Sequence, residues 1–112
     1  MNDINELLQR LNDISTKYGL EIFYLDFTEI TLLSRFGLSL DVFIELYANL
    51  KKRKLNLALI VSNNRIYGID KEGGFYHEHP ISNPESHVRT EPKDLDEFVE
   101  KCCDYLKQLG LI

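Results

Sequence analysis

Arg65-Ile66-Tyr67-Gly68-Ile69-Asp70-Lys71-Glu72-Gly73-Gly74-Phe75-Tyr76-His77-Glu78-His79-Pro80 is the stretch whose reading decides the fold. It reads as two short strands joined by a tight glycine-containing turn, with a His-x-His pair on the return strand. In antiparallel pairing across a three-residue Lys71-Glu72-Gly73 loop, Gly73 takes the left-handed position and bulges the turn. That register sets Asp70 against Gly74, Ile69 against Phe75, Tyr67 against His77 and Arg65 against His79. Side chains alternate along a strand, so Arg65, Tyr67, His77 and His79 are expected on one face of the sheet.

Upstream, Leu40 to Leu50 alternates cleanly, and Leu55, Leu57, Leu59 and Val61 do the same after the basic Lys51-Lys52-Arg53-Lys54 turn. Pairing Leu50 with Leu55 puts both apolar sets on one face. Asn63-Asn64 supplies a two-residue hairpin because Asn tolerates positive φ, which sets Val61 against Ile66 and Leu59 against Gly68. The core side of this meander is then Leu46, Leu59, Gly68, Val61 and Ile66, continuing to Tyr76. The other side gathers Phe43, Glu45, Tyr47, Ile60, Tyr67, Ile69, Phe75, His77 and His79, too apolar for plain solvent-facing surface. Leu20 to Leu33 is rich in β-branched and aromatic residues and reads as a strand bent near Thr28-Glu29, with a turn at Phe36-Gly37. From Ile81 to Pro92 the chain reads as a loop, from which His87 and Arg89 can fold back toward His77.

The flanks are helical. Ile4, Leu7, Leu8, Leu11, Ile14 and Tyr18 form one stripe of a 3.6-residue period, with Asp3 and Glu6 at capping spacing and Gly19 as the stop. Leu95, Phe98, Val99, Cys102, Leu106 and Leu109 form the second stripe, in a helix expected over 93–109 with Asp94 and Glu97 at its start and Gly110 at its end. The expected fold is a single α+β domain over residues 1–112. It is an antiparallel four- to five-stranded meander with the N- and C-terminal helices packed on one face.

The chain has 112 residues, 44% hydrophobic and 28% charged, ordinary values for one globular domain. No run approaches the ~18 apolar residues of a membrane span, and no basic-then-apolar leader opens the chain, so a cytoplasmic protein without a membrane partner is expected. The net charge of −5 argues against a protein that coats nucleic acid by global attraction. Nucleic-acid contacts are therefore confined to the Lys51–Lys54 cluster or to the His/Arg face. Cys102 and Cys103 are helical neighbours that point apart, so a bridge between them is not expected.

Two imidazoles beside a guanidinium and a phenol can work on a phosphodiester. His77 and His79 act as general base and acid toward an RNA 2′-hydroxyl, Arg65 steadies the phosphate, and Tyr67 donates a hydrogen bond. Asp70, His87, Arg89 and Lys51, Lys52, Arg53 and Lys54 are candidate binding residues. His77, His79 and His87 also have the residue types of a metal site, but the spacing is no zinc signature, and the preferred set contains neither metal nor cofactor. The bland reading makes the histidines polar residues of an edge strand that Pro80 ends, Asp70 the opener of a turn, and Lys51–Lys54 a solvated hairpin tip. Gly73-Gly74 lacks the strand–loop–helix context of a phosphate-binding loop.

The Tyr67-Gly68-Ile69-Asp70 strand end, the glycine-rich turn and His77-x-His79 resemble the central motif of the TumE-type toxin family, over roughly residues 55–90. The family's Arg-Tyr-Asp-like strand end is here Arg-Ile-Tyr-Gly-Ile-Asp, so Asp70 and the His pair carry over and Arg65 does not. The resemblance implies a small α+β growth-inhibiting toxin encoded beside a DNA-binding antitoxin that masks it. The function expected is thus a toxin of a two-gene module, with metal-independent RNA cleavage at the His-x-His face. The alternative is a non-enzymatic interaction domain that uses the aromatic sheet face to form a homodimer or to bind another protein.

Overall fold

The computed structural model describes residues 3–73 and 75–112. Helix α1 (Ile4–Tyr18) starts at Asp3, whose carboxylate accepts the Glu6 N–H at 2.7 Å, and stops at Gly19 with φ 67°. Helix α2 (Leu95–Gln108) starts in the same way, Asp94 accepting the Glu97 N–H at 2.8 Å. Between the helices run β1 (Glu21–Phe27), β2 (Thr31–Ser39), β3 (Val42–Asn49), β4 (Lys54–Val61), β5 (Asn64–Glu72), β6 (Phe75–His79) and β7 (Val88–Thr90). Each strand pairs antiparallel with the next, in chain order.

The α+β meander is as expected, but among the described residues it has seven strands rather than four or five. One extra strand comes from Leu20–Leu33, which reverses instead of bending. The Thr28 hydroxyl accepts the N–H groups of Ile30 and Thr31 at 3.2 and 3.0 Å and closes that turn. The other is β7, which pairs Val88–Thr90 with β6 where a loop was expected. Phe36-Gly37 is not a turn but the middle of a strand pair, with Gly37 opposite Phe43. A Cβ on Gly37 would lie 2.5 Å from the Phe43 Cα, so glycine serves close strand approach there.

Both helices cover one face of the sheet. Leu32, Phe36, Ile44, Leu46, Leu57 and Leu59 meet Leu7 and Leu11 of α1 and Phe98, Val99 and Leu106 of α2 in a single buried cluster. The Tyr18 hydroxyl donates to Asp96 at 3.0 Å and ties the two helices together. Cys102 is buried in this layer and Cys103 half-buried; both thiols are free, and burial pushes each above its ordinary pKa. No helix among the described residues is long and apolar enough to cross a membrane.

Two hairpin registers differ from expectation, and they decide which side chains share a face. The β4–β5 turn is Ser62-Asn63, with φ of 50° and 66°, rather than Asn63-Asn64. A bulge then follows, with Leu59 opposite Tyr67 and Ile60 opposite Arg65, so that Ile66 has no partner of its own. In β5–β6, Glu72 pairs with Phe75, Lys71 with Tyr76, Asp70 with His77, Ile69 with Glu78 and Gly68 with His79. The three-residue Lys71-Glu72-Gly73 loop is therefore incorrect, and the expected partner of Asp70, Gly74, lies outside the described residues. The change is odd in number, so Tyr67 and Ile69 move to the helix face while His77 and His79 stay on the bare one.

Burial explains the choice. Tyr67 is 2% and Ile69 0% exposed, with Tyr67 stacked on Phe98 at 5.3 Å. Leaving both on the bare face would forfeit several kcal/mol, at about 25 cal/mol per Å² of apolar surface. Burial also holds the Tyr67 hydroxyl well above the usual tyrosine pKa. Tyr67→Ala is expected to cost about 3–5 kcal/mol in chemical denaturation, whereas Tyr67→Phe changes stability by under about 1 kcal/mol and leaves any chemistry on the bare face intact.

Candidate functional site

The bare face of β4, β5, β6 and β7 carries the polar cluster. Asp70 and His77 are direct cross-strand partners, and so are His77 and Arg89. Arg89 lies over the Phe75 ring at 4.8 Å, on the same strand face as His77. Arg65 enters from the start of β5, just beyond the bulge. Between Arg65 and His79 the sheet surface is Gly68, where a Cβ would sit 2.9 Å from the Leu57 carbonyl oxygen and 3.5 Å from the His79 Cδ2. The crowding comes from the Leu57 carbonyl, whereas Arg65 and His79 lie at ordinary contact distance.

His79 faces away from the helices yet is 1% exposed. What buries it is the segment 80–87, folded back over the sheet. Two turns shape that segment: the Asn83 N–H donates to the Pro80 carbonyl at 3.0 Å, and the Ser86 N–H and hydroxyl donate to the Asn83 carbonyl at 3.0 and 2.9 Å. Its contact with the sheet is the Pro84 carbonyl oxygen, 3.1 Å from His79 Nδ1 and 3.2 Å from Arg65 Nη2. A carbonyl only accepts, so His79 donates from Nδ1.

The other ring nitrogen, Nε2, lies 2.7 Å from Asp70 Oδ2. A carboxylate oxygen also only accepts. The 2.7 Å contact is a hydrogen bond, with one proton lying between Nε2 and Oδ2. Asp70 is thus the partner of His79 rather than only the opener of a turn; its side chain is 22% exposed.

The folded-back segment delivers His87 to the cluster. Its ring meets His79 edge-on at 4.2 Å between centroids and stands 6.2 Å from His77. His87 is exposed and His77 half-buried. The structure therefore brings together Arg65, Asp70, His77, His79, His87 and Arg89. Tyr67 does not join them, because the β5–β6 register turns it under α2. Nor does the Lys51–Lys54 loop. Lys51, Lys52 and Arg53 are exposed at the β3–β4 turn, Lys54 pairs with Glu72 at 3.4 Å, and Arg53 and Lys54 border a cleft of about 540 Å³ on the helix side, with Arg10, Lys71 and Lys93.

Two contributors escaped the sequence reading. The Pro84 carbonyl is invisible to any motif, although Asn83-Pro84 marks a chain reversal there. Asn56, the register partner of Asp70, is a polar interruption among Leu55, Leu57 and Leu59 on the bare-face parity, and its Oδ1 is buried without a hydrogen-bond partner. Because His79 holds three chain segments together, His79→Ala is expected to destabilise by about 1–3 kcal/mol through unpaired polar groups. His77→Ala and His87→Ala should stay within about 0.5 kcal/mol, the usual range for surface changes, in the same thermal melts. No protein-family model, curated protein or solved structure matches this chain.

Proposed function

We propose that this chain is a small toxin-like protein directed at RNA, working through the bare face around His77 and held in check by a protein antitoxin. One observation carries the reading. In a chain of net charge −5, three imidazoles and two guanidiniums gather on one helix-free face around a single buried contact. Arg89, beside His77, and Arg65, held by Pro84, are suited to a phosphate. The proton-moving pair is His77 and His87, since both reach solvent and their rings are 6.2 Å apart. One takes the proton of the RNA 2′-hydroxyl, whose oxygen attacks phosphorus. The other gives a proton to the departing 5′-oxygen, leaving a 2′,3′-cyclic phosphate and a free 5′-hydroxyl. Proton transfer of this kind contributes about 10²–10⁴-fold in rate. His79 takes no direct part in this scheme. It positions the segment that carries His87.

The second reading is a non-enzymatic interaction domain, favoured by the continuation of the same face. Leu33, Phe43, Tyr47, Ala58 and Ile60 point away from the helices and are only half-buried. A second copy of this chain seated there would make a homodimer, which solution mass reads directly.

Inducible expression in a bacterial host separates the two. The toxin reading expects growth arrest, relieved by His77→Ala and by Arg89→Ala at unchanged protein level and melting temperature. Arrest that persists in both variants, or normal growth with the wild-type chain, rejects it.

A further inference from the structure

We propose that Asp70, His79 and His87 form a binding site for one divalent transition-metal ion of the zinc class. Their ligand atoms all lie within 4.8 Å of one another. Two imidazoles and one carboxylate, with positions left to water, suit Zn²⁺ and its first-row neighbours rather than thiol-seeking metals. The thiols, Cys102 and Cys103, belong to the helix layer on the other side of the sheet.

Two features make this more than a coincidence of residue types. The first is what holds the His79 ring from behind. Its Nδ1 donates to a backbone carbonyl, the arrangement found behind metal-bound histidines, and its Nε2 points at Asp70. Arg65 donates to the same carbonyl and helps hold it in place. The second is the 2.7 Å approach of His79 Nε2 to Asp70 Oδ2, which sets two ligand atoms side by side. Ligands of a tetrahedral zinc stand about 3.3 Å apart, from bond lengths near 2.0 Å, so the pair opens only slightly to admit the ion.

His87 completes the set. It is exposed, no hydrogen bond to a described residue engages it, and its ring already touches that of His79. The buried ligand is thus fixed and the exposed ligand free to close on the ion, leaving the outer positions open to solvent and next to His77. A bound ion of this class lowers the pKa of its water to about 7 and polarises phosphoryl oxygens. With the ion bound, His87 is a ligand and not a proton carrier, so the two uses of that imidazole exclude one another at any moment. The site does not depend on the RNA reading and would exist in a protein that cleaves nothing.

The test is binding, not activity. Tag-free protein stripped with EDTA and dialysed is titrated with ZnCl₂ by calorimetry and melted with and without the metal. The expected result is one Zn²⁺ per chain, with a melting temperature raised by on the order of 5–10 °C at zinc about a hundredfold above Kd, and no response to Mg²⁺. His87→Ala should weaken zinc at least about tenfold without changing the melting temperature of the metal-free protein, and Asp70→Asn should weaken it as well. His87→Cys should restore binding, and the Co²⁺-loaded form should then gain a thiolate charge-transfer band. His77→Ala should bind zinc as wild type does. Absence of stoichiometric uptake overturns the site, as does equal uptake by wild type, His87→Ala and Asp70→Asn.

Discussion

The imidazole of His79 is the point on which the bare side of the sheet depends. Through Nε2 it holds Asp70 of β5, through its backbone it belongs to β6, and through Nδ1 it holds the Pro84 carbonyl of the folded-back segment. Without the last contact, the hydrogen bonds of segment 80–87 are its own turns and the one from Arg65, beside the ring contact of His87 with His79. That segment runs directly into β7, so the same bond helps place His87 and Arg89 beside His77. A net stabilisation of about 1 kcal/mol is typical for such a bond, but leaving its buried members unpaired costs more, and here each of them would lie under the segment.

The two faces of the sheet follow different physics. The helix side is closed by apolar burial, non-directional and tolerant of small shifts. The bare side is held by directed contacts between groups that each have few alternatives. This difference explains what was legible. Helix caps at Asp3 and Asp94 and the parity of β3 against β4 follow from local patterns that apolar burial then reinforces, and the structure has them as read. Leu50 was expected opposite Leu55, and Ala48 takes that place, an even shift that leaves the faces unchanged.

The hairpins around β5 were not legible in the same way. Ser62-Asn63 and Asn63-Asn64 both suit a two-residue turn, and nothing local tells them apart. A three-residue Lys71-Glu72-Gly73 loop and the register the structure has pose the same ambiguity at the other end of the strand. The bulge at Ile66 has no signature of its own. Between these alternatives the decision belongs to tertiary burial: the register that places Tyr67 and Ile69 beneath Phe98 and Tyr105 wins over one that leaves them bare. The same decision removes Tyr67 from the cluster and brings in Asp70. The sequence reading grouped the His pair with Arg65 and Tyr67, and Asp70 enters that face only through the register the structure has. Short β7 escaped for a related reason, since a three-residue strand has too little alternation to be seen, and it follows directly on the segment that His79 holds.

A polar arrangement at this depth needs an account of its own. For stability alone, an aliphatic side chain at position 79 packed against Pro84 would avoid the desolvation of an imidazole and part of a carboxylate. The rest of the chain takes the aliphatic solution at nearly every buried position: Ser15, Ser34 and Asn49 are the other buried polar residues among the described ones, against nineteen buried hydrophobic ones. The exception is concentrated where Gly68 opens the surface, where a bulge redirects Arg65, and where two further imidazoles collect. Departures from local rules that coincide at one place, on an otherwise consistent fold, are characteristic of functional sites. A loop anchored only to stay folded would have no use for an exposed His87 set against a buried His79. A loop anchored to present that ring does.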